Sequence, residues 1–393
     1  VDYGKDIAIT SVVTGEKIAL GSRDFRFKPD TGEFDPLSGP SQFGRNRDAW
    51  GHWFGVQNSF PIWHYVLEDR YLRRNPYVAP PSPRNVLTGS NPVVYALSGS
   101  QKRYHSFSDA GHYTSACAVA PYLDTQLFGE SNVMHSFTCE PVSNLVQHFL
   151  VEDDCVSFKA RRAESDDQPE FFASEDRWCR PVMTRTGPDG ALWIADMYRY
   201  MIEHPEWLPQ NGKSDFQPFY REGDDKGRIY RIYPQGKRPA PIKRLDTMSA
   251  NDLIALLESP NGWMRDRAQM LLQSKADHAI VPALERIVTT SGQPLARAHA
   301  LSVLENLNAL KNETLVAALH DGAVGVREHA LRLAEKHGDD AVVDAAVKLA
   351  DDPDAKVRLQ LALSLGEWKQ RVAGEALAKL AGRDYDDPMI RGA

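Results

Sequence analysis

The hydrophobic pattern changes period near residue 240. Upstream, apolar residues alternate with polar ones in short runs broken by Gly, Pro, Asp and Asn, which predicts strands joined by turns. Downstream, apolar residues recur every three to four positions, which predicts helices. The upstream stretch that organises the rest runs from Trp178 to Trp207. Val182 to Thr186 reads as a strand, Gly187-Pro188-Asp189-Gly190 as a turn, and Ala191 to Ala195 as the return strand, with Leu192 and Ile194 on one face and Trp193 on the other. Asp196, Tyr198, Arg199, Glu203 and His204 follow at once, a polar and aromatic loop at a strand end.

The same cadence recurs through residues 1–235. Phe25 and Phe27 alternate with Arg26 and Lys28, a half-buried strand pattern. NLVQHF predicts a strand with Asn144 and His148 on one face, and Glu152-Asp153-Asp154 the turn of an antiparallel pair. Pro76 to Pro92 has little periodicity and reads as a surface excursion. About three to four strand-turn-strand units predict a partial all-β propeller, with a β-sandwich as the alternative.

Residues 236–248 read as a linker, and 249–393 as an all-α HEAT-like solenoid. Ser249 is a candidate N-cap for SANDLIALL. NGWMRDRAQMLL, QPLARAHALSVL, GAVGVREHALRLA, DAKVRLQLALSLG and DPMIRGA then align on Arg265, Arg297, Arg327, Arg358 and Arg391, at spacings of 32, 30, 31 and 33. Ala268, Ala300, Ala330 and Ala362 mark close helix approach. Such units cannot bury their apolar faces alone and must stack. The arginines are expected to bind carbonyls or acids of the neighbouring repeat; the alternative is a ligand-binding row. A stack of this kind offers a face for a protein partner or a docking domain.

Charge and cysteine content narrow the partners. The net charge of -7 argues against a nucleic-acid backbone. The chain opens on Val1 and closes on what reads as the start of a further repeat, so an internal fragment is expected. Cys117, Cys139, Cys155 and Cys179 form no CxxC; they read either as disulfides or as small buried hydrophobes.

Four clusters hold candidate chemistry. His52, Trp53 and Asn58, with Arg45, Arg47, Asp48, Trp50, Trp63 and His64, bring aromatic faces and polar groups suited to a sugar or planar cofactor. His105, Asp109 and His112 have a loose ligand spacing, with His112 better placed as a base. Glu140, Asn144 and His148 gather around a strand start. Arg180, Asp196, Tyr198, Arg199, Glu203 and His204 would suit hydride abstraction, an imidazole taking the proton and an arginine facing the oxyanion; Asp189 and Asp196 are the alternative calcium ligands. Each cluster also admits a structural reading. No GxGxxG, Walker loop, HExxH or GxSxG occurs.

SRDFRFKPDTGEF, QFGRNRDAWGHWFGVQNS, CEPVSNLVQHFLV and WCRPVMTRTGPDGALWIADMYRYMIEHPEW resemble the membrane-bound dehydrogenases of planctomycetes and related bacteria. That resemblance covers residues 1 to about 235. It implies a six-bladed glucose/sorbosone dehydrogenase-like propeller beginning before Val1 and a periplasmic or cell-envelope setting. It also implies oxidation of a sugar or alcohol using pyrroloquinoline quinone and Ca2+, with electrons passed to haem c on a domain outside this chain. His112, Glu140, Arg180 and Asp196 are the expected catalytic residues, and His52, Trp53, Asn58, Asn144, Tyr198 and His204 the expected substrate or cofactor contacts; the metal ligands stay open. The competing expectation is a non-catalytic carbohydrate- or protein-binding scaffold.

Overall fold

Short alternating runs bury only one face each, so the first part of the chain folds as small sheets made of neighbours in sequence. The computed structural model describes residues 7–75, 77, 81–99, 111–163, 170–202, 206, 210–237, 239 and 241–393. Two hairpins lead, β1 (Ala8–Thr10) with β2 (Lys17–Ala19) and β3 (Asp24–Phe27) with β4 (Phe34–Leu37). Phe25 and Phe27 lie in a strand as expected, but they stay 44% and 58% exposed, because their sheet has only two strands and Phe34 alone does not bury them.

Three open antiparallel sheets follow. The first is β5 (Arg45–Arg47), β6 (Trp53–Gln57), β7 (Phe60–Tyr65) and β8 (Arg84–Val86) in that order, with α1 (Asp69–Leu72) between β7 and β8. β8 falls inside the stretch read as an excursion; three residues are too few to show a period. The second is β9 (Cys117–Pro121), β10 (Met134–Glu140), β11 (Leu145–Asp154) and β12 (Ser157–Arg162), with β13 (Phe172–Ala173) also on β11. The third is β14 (Pro181–Thr186), β15 (Leu192–Asp196) and β16 (Arg228–Ile232), with α2 (Gln210–Phe216) between β15 and β16. Leu192 and Ile194 are fully buried, and Gly190 closes the turn at φ 78°.

Asn144 departs from expectation. It precedes β11 at φ 58°, in the left-handed turn between β10 and β11, so it shares no strand face with His148. All four cysteines are free thiols: Cys117 faces Cys139 across β9 and β10, Cys179 is buried, and Cys155 is exposed.

Ten helices build the second part: α3 (Ala250–Leu256), α4 (Gly262–Lys275), α5 (Val281–Thr290), α6 (Pro294–Asn306), α7 (Asn312–Leu319), α8 (Val324–Ala334), α9 (Asp340–Ala346), α10 (Ala355–Leu365), α11 (Arg371–Arg383) and α12 (Pro388–Gly392). Ser249 caps α3 in a reciprocal box with Asp252. The repeat arginines bind both carbonyls and acids. Arg297 grips Asp321 through Nε and Nη2 at 2.7 and 2.7 Å, Arg327 grips Asp352 at 2.7 and 3.0 Å, and Arg358 grips Asp384 at 2.9 and 2.8 Å. Each pair links one repeat to the next.

The helices are not appended behind the sheets. Val66, Leu67, Tyr71 and Val156 belong to the same apolar core as the helices. Along the seam Gly262 N donates to Leu123 O at 2.6 Å, Arg47 pairs with Asp266 at 2.8 Å, Tyr71 hydroxyl donates to Glu335 at 2.5 Å and Lys356 pairs with Asp153 at 2.8 Å. α4, α8 and α10 meet the sheets through Gly262, Asp266, Glu328 and Lys356.

Candidate functional site

The loop ends of β10, β14 and β15 do bring Glu140, Asn144, Arg180 and Asp196 together, with Tyr198 beside them. The first four are all buried. Their polar groups, however, face the chain itself. Arg180 donates from Nε to Arg199 O, from Nη1 to Pro141 O and Val142 O, and from Nη2 to Tyr200 O. Asp196 accepts from Arg180 N and Tyr198 N on Oδ1 and from Arg228 Nε on Oδ2. Glu140 accepts from the backbone N–H and hydroxyl groups of Thr114 and Ser115. Asn144 donates to Arg177 O and Cys179 O. Tyr198 lies at φ 52°, its ring 4.2 Å from the Arg228 guanidinium. This is a knot that ties three strand ends, and none of these residues lines the cleft between the sheets and the helices.

The remaining expected residues are dispersed. His112 turns Nδ1 to Asn91 O beside the bridge to Val93. Asn58 lies in the β6–β7 turn, its N–H on Gln42 Oε1. Trp53 carries the Arg45 guanidinium 5.0 Å from its ring. His105, Asp109, Glu203 and His204 lie outside the described residues.

His52 is placed differently. Its Nδ1 lies 2.7 Å from Asp48 Oδ2 and its Nε2 3.1 Å from Glu328 Oε2 on α8. Burial alone would depress its pKa, but the two carboxylates override that and raise it to about 10, so it is an imidazolium. Burial likewise opposes ionisation of Glu328, and Arg332 with His52 bring it down to about 2. Beside it His64, buried and repelled by that cation, is held well below the usual range and stays neutral. With both nitrogens on carboxylates, His52 is no base; it fastens the two parts together.

That fastening forms one wall of a cleft of about 480 Å³. Trp50, Tyr122–Thr125 and Ser131–His135 line the sheet side. Leu295, Gly325 and Lys356, at the starts of α6, α8 and α10, line the helix side with Arg265. Lys356 Nζ sits 4.8 Å from the Phe158 ring. His135 stacks on Phe128 at 3.9 Å with its Nδ1 2.9 Å from His148 Nε2; burial and His148 push its pKa down to about 4. The cleft therefore offers aromatic faces and both signs of charge to one small polar molecule.

Asp48 belongs to the expected His52 cluster and Arg265 to the repeat arginines; Glu328, Lys356 and His135 were not expected. Two carried a signal in the repeats. Lys356 occupies a position that is Trp263, Leu295, Gly325 and Met389 elsewhere, and Glu328 one that is Ala298 and Leu359 in its neighbours. A charge where neighbouring repeats are uncharged marks a contact outside the stack, as does Asp266 at the Glu328 position of the first repeat, which pairs with Arg47.

Calcium on Asp189 and Asp196 does not fit. Asp196 is neutralised by Arg228, and Asp189 by Arg231, with Trp193 Nε1 on its other oxygen at 2.9 Å. Among the described residues no group of three or more His, Cys, Asp or Glu is arranged to hold a metal ion. Arg180, with its donors on carbonyls, is not placed to meet a quinone.

Residues 2–236 match the family described as "Domain of unknown function (DUF7133)", and residues 312–393 match HEAT repeats. No curated protein matches. One solved structure, titled as the crystal structure of an engineered protein, is 22% identical over 35% of this chain and 69% of that one; its TM-score of 0.22 carries no argument.

Proposed function

The chain belongs to the DUF7133 family, and we propose that it works as a binding module, holding a small polar ligand of the carbohydrate class in the cleft between its sheets and its HEAT stack. The observation that carries this is the cleft of about 480 Å³, built from both parts at once and walled by the charged contacts of His52 and Lys356. Walls fixed before the ligand arrives reduce the ordering cost of binding. Trp50 gives an aromatic face for a sugar ring, and the surrounding polar groups can orient its hydroxyls. The oxidoreductase reading draws less support, because Arg180, Glu140 and Asp196 direct polar groups to backbone and to neighbouring side chains. We read the three antiparallel meanders as successive propeller blades, since each joins consecutive strands in sequence order.

Thr125 is exposed and lines the cleft, so Thr125→Trp narrows it without touching the core. Calorimetric titration with a panel of neutral and acidic sugars is expected to find a ligand that binds the wild-type chain and binds the variant at least about tenfold more weakly. Unchanged binding in the variant, or sugar-dependent dye reduction with added quinone and Ca2+, would overturn the proposal.

A further inference from the structure

The arginines of the HEAT stack repeat in sequence but not in partnership. In α6, α8 and α10 the Nε–Nη2 edge holds a carboxylate from the following repeat, 24, 25 and 26 residues on. The residue supplying that carboxylate can be identified a second way. Each arginine's Nη1 donates to a carbonyl six residues upstream: Ser291 for Arg297, Asp321 for Arg327, Asp352 for Arg358. Asp321 and Asp352 thus serve two arginines at once, by side chain and by backbone. Ser291 occupies the equivalent position in the first ladder step, at the end of α5, and it has no carboxylate. Its hydroxyl turns to Glu258.

Arg265 is therefore left with half its partners. Nη1 is satisfied by Ser259 O and Pro260 O at 2.7 and 2.9 Å. Nε is buried with no hydrogen-bond partner, and the residue is only 4% exposed. The nearby acids do not replace the missing one: Asp266 is paired with Arg47, and Asp124 makes no ion pair with Arg265. A buried donor without an acceptor is costly and rare. Arg265 lines the cleft, so the buried donor lies just behind its wall.

We propose that the Nε–Nη2 edge of Arg265 is a carboxylate-binding subsite of the cleft, and that the ligand is a small monocarboxylate, an acidic sugar rather than a neutral one; this rests on the cleft being the ligand site. The fork matches a planar carboxylate in two parallel bonds, as its three sister arginines demonstrate. A phosphate dianion is disfavoured: five carboxylates line the cleft against Arg265, Lys356 and the His52 imidazolium, so a second negative charge on the ligand is repelled.

The test uses the full chain with glucuronate, glucose and inorganic phosphate as probes in calorimetric titrations. Glucuronate is expected to bind at least about tenfold more tightly than glucose or phosphate, the margin of a charge-assisted bidentate contact. Ser291→Asp restores the missing ladder carboxylate. It should raise the melting temperature and weaken glucuronate at least about tenfold, because the fork is then filled from within. Arg265→Gln should weaken glucuronate to the level of glucose; Ser291→Asp covers the case in which that variant does not fold. Equal binding of glucuronate and glucose, or tight phosphate binding, would overturn the carboxylate subsite and leave the cleft reading standing. So would glucuronate binding unaffected by Ser291→Asp. Failure of every sugar to bind would overturn both.

Discussion

His52 Nε2 lies 3.1 Å from Glu328 Oε2, joining a loop of the first sheet to the third HEAT repeat across 276 residues of chain. With Asp48 on Nδ1 and Arg332 on Glu328, charges alternate through the seam. The pH dependence follows from the two shifts. His52 is raised from 6.5 to about 10, so its contribution is complete below pH 6.5 and is lost as pH climbs toward 10. Glu328 is lowered from 4.5 to about 2, so its contribution is complete above pH 4.5 and is lost as pH falls toward 2. Both describe one contact and count once. Denaturant titrations should show a plateau between pH 4.5 and 6.5, with wild type losing up to about 1.4 kcal/mol per pH unit more than His52→Gln above it. Parallel curves for the two proteins would remove His52 from the seam.

Gly325 tests how tightly the parts are packed. A Cβ there would meet Trp50 Cε3 at 2.2 Å. Two effects oppose each other in Gly325→Ala. Alanine favours the helix by up to about 1 kcal/mol, whereas overpacking costs about 1–3 kcal/mol. The clash is with the body of an indole ring rather than the end of a flexible chain, so the steric cost should win. A lower melting temperature is expected, with Trp50 fluorescence altered. A more stable variant would mean that the ring moves aside freely.

The repeat period, the N-cap at Ser249 and the hairpin at Gly190 were legible because each depends on local sequence. The seam was not. His52, Asp48 and Glu328 lie in two parts of the chain whose separate patterns say nothing of how they meet. The surroundings of Arg180 and Asp196 were hidden for a related reason. Sequence shows that polar residues cluster at a strand end, but not whether they face solvent or backbone. Phe25 and Phe27 show the same limit, since alternation predicts a strand and not the sheet that would cover it. What the repeats did carry was the exception: Lys356 is charged where its sister repeats are uncharged, and Ser291 stands where the later steps have Asp321, Asp352 and Asp384.

The arginine ladder should be strongly directional in its energetics. Arg327 and Asp352 are 11% and 4% exposed as side chains. Arg327→Ala leaves a buried carboxylate unpaired and should cost about 3–5 kcal/mol. Adding Asp352→Asn removes that unpaired charge and should recover part of the loss, which a double-mutant cycle by urea denaturation reads directly. Strict additivity of the two substitutions would show that the pair carries no coupling.

Glu140 separates a structural knot from a catalytic carboxylate. Its oxygens accept hydrogen bonds from Thr114 N at 3.1 Å, Ser115 N at 2.9 Å, Thr114 Oγ1 at 3.3 Å and Ser115 Oγ at 2.6 Å. Glu140→Gln keeps the volume but sets an amide NH2 against backbone N–H donors. The carboxylate also loses the charge that strengthens each bond, so a loss of about 2–4 kcal/mol is expected. Because Glu140 does not line the cleft, sugar affinity of the folded variant should match wild type. A general acid or base would give the reverse, intact stability with lost turnover. Calorimetry of the variant alongside binding titrations distinguishes the two, and unchanged stability would return Glu140 to the list of candidate catalytic groups.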